Sequence, residues 1–173
     1  MAVDDKTGEV VGYVRWVMPS HLANAKEPVW PEAQVAEPSS EDRAEHERDF
    51  KNATNNGRVR GLRNDMMEFR STPLEEVDAK INEGGPFLFL DYLAVSPKYQ
   101  RQGAGALLLR DGLAVADANG LKSYTTASAA GVKLYQNQGF ETVEVVTVDY
   151  SKFGGVEPVT DYFMIRQPQK YRT

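Results

Sequence analysis

A glycine-containing turn between two apolar segments is the part of this sequence best suited to binding chemistry. The turn, Gln100 to Gly105, joins the apolar run 87–95 to the apolar run 104–118. If the first run is a strand and the second a helix, the glycines leave backbone N–H groups exposed at the helix start. Such groups bind phosphate. The turn therefore predicts a ligand that carries a phosphate or pyrophosphate.

Two common phosphate motifs do not fit this turn. A P-loop requires a lysine and a serine or threonine directly after its last glycine, but Ala106 and Leu107 stand there. A dinucleotide fingerprint requires a third glycine where Leu108 stands and an acid at the next strand's end, where Ala127 stands. Both motifs are therefore set aside.

The turn matches a known signature in which Gln or Arg is followed by any two residues, then Gly, then any residue, then Gly or Ala. On this signature the chain resembles the GNAT superfamily of acyl-CoA-dependent N-acyltransferases. The resemblance extends back to a strand end at 93–97, which reads Leu-x-Val-x-Pro. It extends forward to residues 127–140, which read Ala-Ser-x-x-Gly-x-x-Leu-Tyr-x-x-x-Gly-Phe. Two motifs in the expected order and spacing make it specific over residues 10–146.

The resemblance implies a mixed α/β fold with a mostly antiparallel sheet, flanked by helices, whose central parallel strand pair splays around the cofactor. The cofactor is acetyl-CoA, used as a co-substrate. In that family the N–H groups of the turn hold the CoA pyrophosphate, and main-chain groups of a bulged strand face the pantetheine arm. The residues so implied are Leu93, Ala94, Val95, Gln100, Arg101, Gln102, Gly103, Ala104, Gly105 and Ser128. Glycines that only allow a helix to pack on a sheet are the alternative explanation of the turn.

Tyr135 and Asp91 are the candidate catalytic residues. Tyr135 matches the family's tyrosine that often protonates the departing CoA thiolate, and a neutral phenol can donate a proton, although a purely structural aromatic is the alternative. An amine with a pKa near 10 needs a base before it attacks. Asp91 lies two residues before Leu93, so strand alternation predicts that it shares a face with Leu93 and Val95. An acid paired with an arginine, or one that binds the acceptor's positive charge, is the equal alternative.

Ser128 has two explanations. It stands where many family members have an asparagine that contacts the cofactor, and a serine at a helix start is equally typical of an N-cap. The two roles stay open at this stage.

The remaining elements are predicted from turn signals and apolar periodicity. Thr72 and Pro73 predict a helix start, with the helix reaching about Asn82. Trp30, Met66, Met67 and Phe69 could line an acceptor pocket, but such residues are more often core. The other predicted elements are a hairpin over 2–17, a solvated acidic helix over 41–52, a strand over 87–95, a helix over 104–118, a strand over 123–127, a short helix that stops at Gly139, and strands over 140–150 and 160–166.

Composition excludes several classes of function. The chain has 173 residues, no cysteine, two histidines and a net charge of −5, which argues against thiolate or metal chemistry and against nucleic acid as a partner. No apolar run approaches a bilayer span, and acidic residues at the start do not suit a signal peptide. We expect an intracellular, cytoplasmic protein without a membrane partner, and a homodimer stays open.

Residues 1–173 are thus interpreted as a single N-acetyltransferase-like domain, with an acceptor-side helical excursion at 18–86 and an acetyl-CoA-binding core at 87–146. The chain begins at what resembles the family's second strand, so the first strand and helices are expected to be absent. The expected reaction is transfer of an acetyl group from acetyl-CoA to a primary amine of a small molecule or peptide, by direct attack in a ternary complex. The alternative is a catalytically impaired CoA-binding or interaction module of the same fold.

Overall fold

The computed structural model describes residues 1–33, 36–54 and 58–169 of the chain. Its strands are β1 (Ala2–Val3), β2 (Val10–Val17), β3 (Phe87–Val95), β4 (Lys122–Ser128), β5 (Glu141–Val148) and β6 (Val159–Arg166). Its α-helices are α1 (Ser20–Ala23), α2 (Ser40–Ala53), α3 (Asn64–Asn82), α4 (Ala104–Ala118) and α5 (Val132–Gln136). Positions 34–35 and 55–57 of the predicted excursion lie outside the described residues.

The described strands form one mostly antiparallel sheet. They lie in the order β1-β2-β3-β4-β6-β5, and the central neighbours β3 and β4 run parallel. The crossover between these two strands is α4, as a parallel connection requires. The predicted fold class is therefore confirmed, and so is the hairpin formed by β1 and β2.

Helices cover the two faces of the central strands. Leu88 on β3 packs with Ala116 of α4, whereas its neighbour Phe87 packs beside Val77 of α3. Because adjacent strand residues point to opposite faces, α3 and α4 lie on opposite sides of the sheet. The α4 side holds the largest buried cluster, formed by Leu90, Leu109, Leu113, Ala127, Tyr135, Phe140 and Met164.

The parallel pairing of β3 and β4 is short. It joins residues 87–90 to residues 122–125 and stops there, although both strands continue. Directly after it the register of β2 against β3 shifts, since Trp16 pairs with Leu90 and Arg15 with Tyr92. Asp91 is thus the extra residue of a β-bulge. The splay and the bulge that the family resemblance implied are both present at the same position.

The predicted start of α3 is wrong. The helix begins at Asn64, nine residues before the predicted position, and Pro73 lies inside it. A proline in a helix interior removes one backbone hydrogen bond, but here an apolar residue on each side of it packs on the rest of the fold, one on the segment after β5 and one on β3. Phe69 contacts Tyr150, and Leu74 packs beside Phe87. Tertiary packing therefore outweighs the local start signal.

The other predicted elements match within a few residues. α2 carries a capping box between Ser39 and Asp42, and none of its residues is buried, as expected for a solvated helix. Trp30 packs against the cluster under α4 and Phe69 against the aromatic ring of Tyr150. Met66 and Met67, like these two residues, do not line the cavity described below.

Candidate functional site

A cavity of about 250 Å³ opens where β3 and β4 separate. Its walls come from the end of β3, the end of β4 and the helix α5. The lining residues are Leu90, Asp91, Tyr92, Leu93, Thr125, Thr126, Ala127, Ser128, Gly131, Leu134 and Tyr135. The structure therefore brings Asp91 and Leu93 of β3 together with Ser128 and Tyr135, which come much later in the sequence.

Tyr135 presents a buried phenol to this cavity. The residue is 8% exposed, and its ring packs edge-on against Phe140 with 5.7 Å between the ring centroids. Burial raises the pKa of the Tyr135 hydroxyl, and a hydrogen bond with the Thr125 side chain acts in the opposite direction. The phenol is therefore protonated at neutral pH and can donate a proton.

Asp91 forms an ion pair with Arg15 of β2. The Asp91 side chain is 29% exposed, so the pair lies at the rim of the cavity and not in the core. Pairing with an arginine is the alternative that the sequence left open for this residue. Beside the pair, the rings of Tyr13 and Tyr92 stack with 5.3 Å between their centroids.

The bulge changes which residues share a face. Leu93 packs against the core cluster on the α4 side, together with Leu90, although an uninterrupted strand would place residues three apart on opposite faces. Asp91 instead reaches Arg15, whose neighbours Tyr13 and Val17 on the same strand face are exposed. The prediction that Asp91 and Leu93 share a strand face is therefore wrong, although both border the cavity.

Ser128 is not a helix cap. The residue before α5 is Gly131, and no side-chain cap hydrogen bond is present there. Ser128 contributes only its carbonyl, which accepts a hydrogen bond from the Gly131 N–H at 2.8 Å. Ser128 lines the cavity, and the N-cap explanation is wrong.

The predicted phosphate turn precedes α4, and two side-chain amides hold it. Gln100 Nε2 donates to the Val95 carbonyl at 3.1 Å, and Gln102 Nε2 donates to the Lys98 carbonyl at 2.8 Å. The backbone is left-handed at Gly103, with φ 90°, and also at Arg101, with φ 63°. A non-glycine residue with positive φ is uncommon and is often found at binding sites.

The backbone N–H groups at the start of α4 are unpaired. Leu107 is the first residue whose N–H donates into the helix, to the Gly103 carbonyl at 3.0 Å. Within the described chain, the five preceding N–H groups, from Gln102 to Ala106, have no protein acceptor. Unpaired donors at the start of a 15-residue helix are suited to binding an anion.

Different structural constraints require glycine at the two glycine positions of the turn. A Cβ on Gly103 would meet nothing within 4 Å, so its left-handed φ is the constraint and the space above it is open. A Cβ on Gly105 would lie 3.0 Å from Leu134 Cδ2 on α5. Since Leu134 also lines the cavity, this contact joins the turn to the cavity. The packing explanation therefore holds for Gly105, against the helix α5 instead of the sheet.

These features fit acetyl-CoA. The open space and unpaired N–H groups at the turn suit a pyrophosphate, and β3 has no strand partner on its β4 side beyond Leu90, as a pantetheine arm needs. The cavity beyond has room for a small acyl group and an amine.

A broader depression of about 1040 Å³ lies between the end of α4 and the turn after α5. Two of its charged groups pair with each other, because Arg166 Nη1 and Nη2 donate to the Asp117 carboxylate at 2.7 and 2.8 Å. Among the described residues, no three His, Asp or Glu side chains form a potential metal site, and no described helix is long and apolar enough to cross a membrane.

Sequence reasoning missed two residues at this site. Arg15 lies 76 positions from Asp91, and no local pattern links the two. Thr125 is 2% exposed in a central strand, and its Oγ1 donates to the Leu90 carbonyl at 3.1 Å. A run of polar residues in the strand 122–126, where apolar residues are usual, was the available signal.

Residues 71–142 match the family model for the acetyltransferase (GNAT) domain. The match covers the turn, the bulged strand and Tyr135, and it confirms the resemblance to the GNAT superfamily. It supports acetyl transfer as the general chemistry and an acyltransferase as the general class of enzyme. No protein of curated function matches the chain.

Three solved structures similar to this chain are acetyltransferases by description. Naa20 of Chaetomium thermophilum, in complex with a bisubstrate analogue, is 16% identical with a TM-score of 0.49, over 96% of this chain and 63% of that one. A histone acetyltransferase HPA2 and related acetyltransferase of Corynebacterium glutamicum is 18% identical with a TM-score of 0.48, over 99% and 64%. The ribosomal-protein-S18-alanine N-acetyltransferase of Escherichia coli is 24% identical with a TM-score of 0.40, over 49% and 57%. This chain thus spans less than two thirds of each of them.

Proposed function

We propose that this chain, whose residues 71–142 match the GNAT acetyltransferase domain, transfers an acetyl group from acetyl-CoA to a primary amine. The observation that carries the proposal is the row of unpaired N–H groups from Gln102 to Ala106 beside a cavity that contains a buried phenol. An anion site and a proton donor joined through Gly105 and Leu134 suit a thioester that carries a pyrophosphate.

Different residues bind different parts of acetyl-CoA in this proposal. Backbone N–H groups of Gln102, Gly103, Ala104 and Gly105 hold the pyrophosphate, and the Arg101 guanidinium adds a positive charge. Gln100 acts indirectly, because its side chain ties the turn to the end of β3. Main-chain groups of 93–95 receive the pantetheine arm and the thioester carbonyl, and Ser128 borders the same channel.

The reaction requires a base on the acceptor side and an acid on the thiol side. Asp91, or a water molecule that it orients, removes a proton from the acceptor ammonium. The amine nitrogen then forms a C–N bond with the acetyl carbon and loses its second proton to solvent, the C–S bond breaks, and Tyr135 gives its proton to the sulfur. The phenolate regains a proton from solvent, so one amide, one free thiol and one proton are the products. N–H groups of the splayed strand stabilise the negative carbonyl oxygen.

The acceptor approaches at the rim of the cavity, where Asp91 and Tyr92 border it. Asp91 supplies a negative charge for an ammonium, and the exposed Tyr13 and Tyr92 rings supply an apolar surface next to it. We assign the segment 18–86 to this side of the molecule and residues 87–146 to acetyl-CoA, within one domain. The acceptor is a small amine or a peptide.

The first test is thermal unfolding of the full chain with and without acetyl-CoA. Ligand at about 100 times its dissociation constant stabilises the folded state by roughly 2.7 kcal/mol, so the melting temperature rises. Arg101→Gly is the matched variant, since glycine accepts the left-handed φ of 63° while the guanidinium is lost. It should melt near the wild-type temperature and show a smaller shift with acetyl-CoA.

The second test is release of CoA thiol in the presence of a panel of primary amines. Because the chain contains no cysteine, every thiol that a thiol reagent detects comes from CoA. Thiol release that saturates with one amine supports the enzyme. A shift with acetyl-CoA but no transfer to any amine would support the second candidate, a CoA-binding module without catalysis. No shift and no transfer would overturn both.

A further inference from the structure

Asp91 and Tyr92 are consecutive residues of β3, yet their side chains lie on the same face of the sheet. Asp91 contacts Arg15 of β2, and the ring of Tyr92 stacks on that of Tyr13, two residues earlier on β2. In a regular strand, consecutive side chains point to opposite faces. The bulge removes this alternation, because Tyr92 pairs with Arg15 and Asp91 is the extra residue. A carboxylate and a pair of aromatic rings are therefore neighbours.

This face of β3 is covered before the bulge and open after it. Phe87 and Phe89 pack with residues of α3 in a buried aromatic cluster. Tyr13 and Tyr92 are 42% and 49% exposed, and in the described part of the chain no third aromatic ring packs on them. Aromatic side chains usually bury most of their area in a core or an interface. The exposed pair therefore offers apolar area to a ligand.

The position of the ring pair points to the acceptor as this ligand. Asp91 and Tyr92 both line the cavity, so an amine bound to the carboxylate lies beside the rings. Both contacts of Arg15 are made to Oδ2 of Asp91, and Oδ1 accepts no hydrogen bond from any residue that the structure describes. Oδ1 is thus open to an ammonium group. Charge complementarity places the amine of the acceptor, and the rings border the group attached to it.

We propose that the acceptor is a primary amine with an aromatic ring close to its nitrogen, and that Tyr13 and Tyr92 determine this specificity. The proposal rests on the proposed acetyl transfer and adds the class of acceptor to it. The ammonium binds Asp91, and the aromatic ring of the acceptor packs on the stacked tyrosines. Free arylalkylamines and peptides that begin with an aromatic residue share this chemistry, so the test separates the two.

The test compares acceptors of similar shape with and without an aromatic ring. Phenethylamine is paired with cyclohexylethylamine, and a peptide that begins with phenylalanine is paired with one that begins with cyclohexylalanine. For each pair, the ratio of the two kcat/KM values is measured at saturating acetyl-CoA. The wild type should prefer the aromatic member about fivefold in one of the pairs, since ring stacking contributes about that factor beyond the area buried. The pair that shows the preference identifies the source of the amine.

Tyr13→Leu and Tyr92→Leu each remove one ring and keep an apolar side chain. In either variant the preference should fall below about twofold, through a rise in the KM for the aromatic amine. Tyr92→Phe keeps the ring and should keep the preference. The KM for acetyl-CoA should not change in these variants, because neither ring belongs to the phosphate turn.

Phe50→Leu is the matched control. The Phe50 ring is 47% exposed and stacks on His46 with 6.3 Å between the ring centroids, but it belongs to α2 and does not line the cavity. This variant should keep the wild-type preference. Thermal unfolding of each variant separates misfolding from altered specificity. Because Tyr13 and Tyr92 are changed separately, one folded variant is sufficient for the test.

The outcomes separate this proposal from the proposed function. Transfer without preference for the aromatic acceptor, or a preference that persists unchanged in Tyr13→Leu and Tyr92→Leu, would overturn the specificity and leave acetyl transfer intact. Absence of transfer to every amine, ethanolamine included, would overturn the proposed function and this proposal together.

Discussion

The Nε and Nη2 atoms of Arg15 both contact the same carboxylate oxygen of Asp91, at the bulge where the register between β2 and β3 shifts. Alternation along β3 from Phe87 and Phe89, which pack on the α3 side, points Asp91 to that same side, away from the core residues under α4. The candidate base is therefore held at the cavity rim by a residue from a neighbouring strand.

Asp91→Asn should lower kcat/KM for the acceptor amine roughly 100-fold, because general-base steps contribute at least that much. The fold should tolerate the change, since a partly exposed ion pair contributes less than about 1 kcal/mol. Steady-state kinetics checks this and also separates the two roles of Asp91. A loss in kcat indicates a base, and a rise in KM alone indicates a site for the ammonium.

Arg15→Met is the companion variant. It removes the charge that orients Asp91 but leaves the carboxylate, so kcat/KM should fall less than in Asp91→Asn. Melting temperatures of both variants should stay close to wild type. Wild-type kinetics in Asp91→Asn would contradict the acceptor-side role of this residue.

Tyr135→Phe should lower kcat by about 100-fold, the usual contribution of a general acid, without a comparable loss of acetyl-CoA binding. Because burial raises the pKa of the Tyr135 hydroxyl above its ordinary value near 10, the phenol keeps its proton throughout the neutral and mildly alkaline range. The wild-type kcat should therefore show no alkaline decline from this group below about pH 10. A tyrosine-dependent decline near pH 8, absent in Tyr135→Phe, would contradict this assignment.

Gly103→Ala should reduce acetyl-CoA binding and also destabilise the fold by about 1–2 kcal/mol, because an alanine is strained at φ 90°. The matched control is Gly154→Ala in the loop between β5 and β6. Its φ is 86°, and a Cβ there also meets nothing within 4 Å. Thermal unfolding with and without acetyl-CoA should show similar destabilisation in both variants but a reduced ligand shift only in Gly103→Ala. Equal ligand shifts would argue against the turn as the anion site.

Asp117→Asn should lower the free energy of unfolding by an amount on the order of 3 kcal/mol at neutral pH, since it leaves the buried Arg166 guanidinium without its counter-charge. Burial alone would raise the pKa of the Asp117 carboxyl. The hydrogen bonds from Arg166 and from the Gln169 N–H outweigh burial and hold this pKa below its usual value.

The sign of the pH dependence follows from that shift. A carboxyl with a lowered folded-state pKa contributes stability that is present above its unfolded pKa near 4 and is lost as the pH falls below it. Melting temperatures between pH 7 and pH 3 should therefore decline more steeply in the wild type than in Asp117→Asn. Parallel curves would show that Asp117 contributes nothing to the acid sensitivity.

Local sequence signals predicted the strands and helices around the site well. The bounds of β3 and α4 coincide with the predicted ones, because Gly85 and Gly120 mark their limits and the apolar pattern fills them. The start of α3 was not predictable from Thr72 and Pro73, since long-range packing of the helix on the sheet overrides that local signal.

The candidate site was only partly predictable from the sequence. The two sequence motifs predicted Tyr135 and the phosphate turn, because each motif is short and involves only neighbouring residues. The partners Arg15 and Thr125 depend on strand register and on the position of a bulge, which a single sequence does not determine. The role of Gly105 likewise depends on α5, a different segment of the chain.

The indole of Trp16 lies against α4 where a Cβ on Gly112 would come within 2.3 Å of its Nε1. This contact in the middle of the helix and the Asp117–Arg166 pair near its end prevent α4 from turning or sliding on the sheet. The donors at its start are consequently preorganised before any anion arrives. The entropy cost of ordering these donors is then incurred when the chain folds and not when the ligand binds. We therefore expect fast, single-step ligand association without a preceding conformational change.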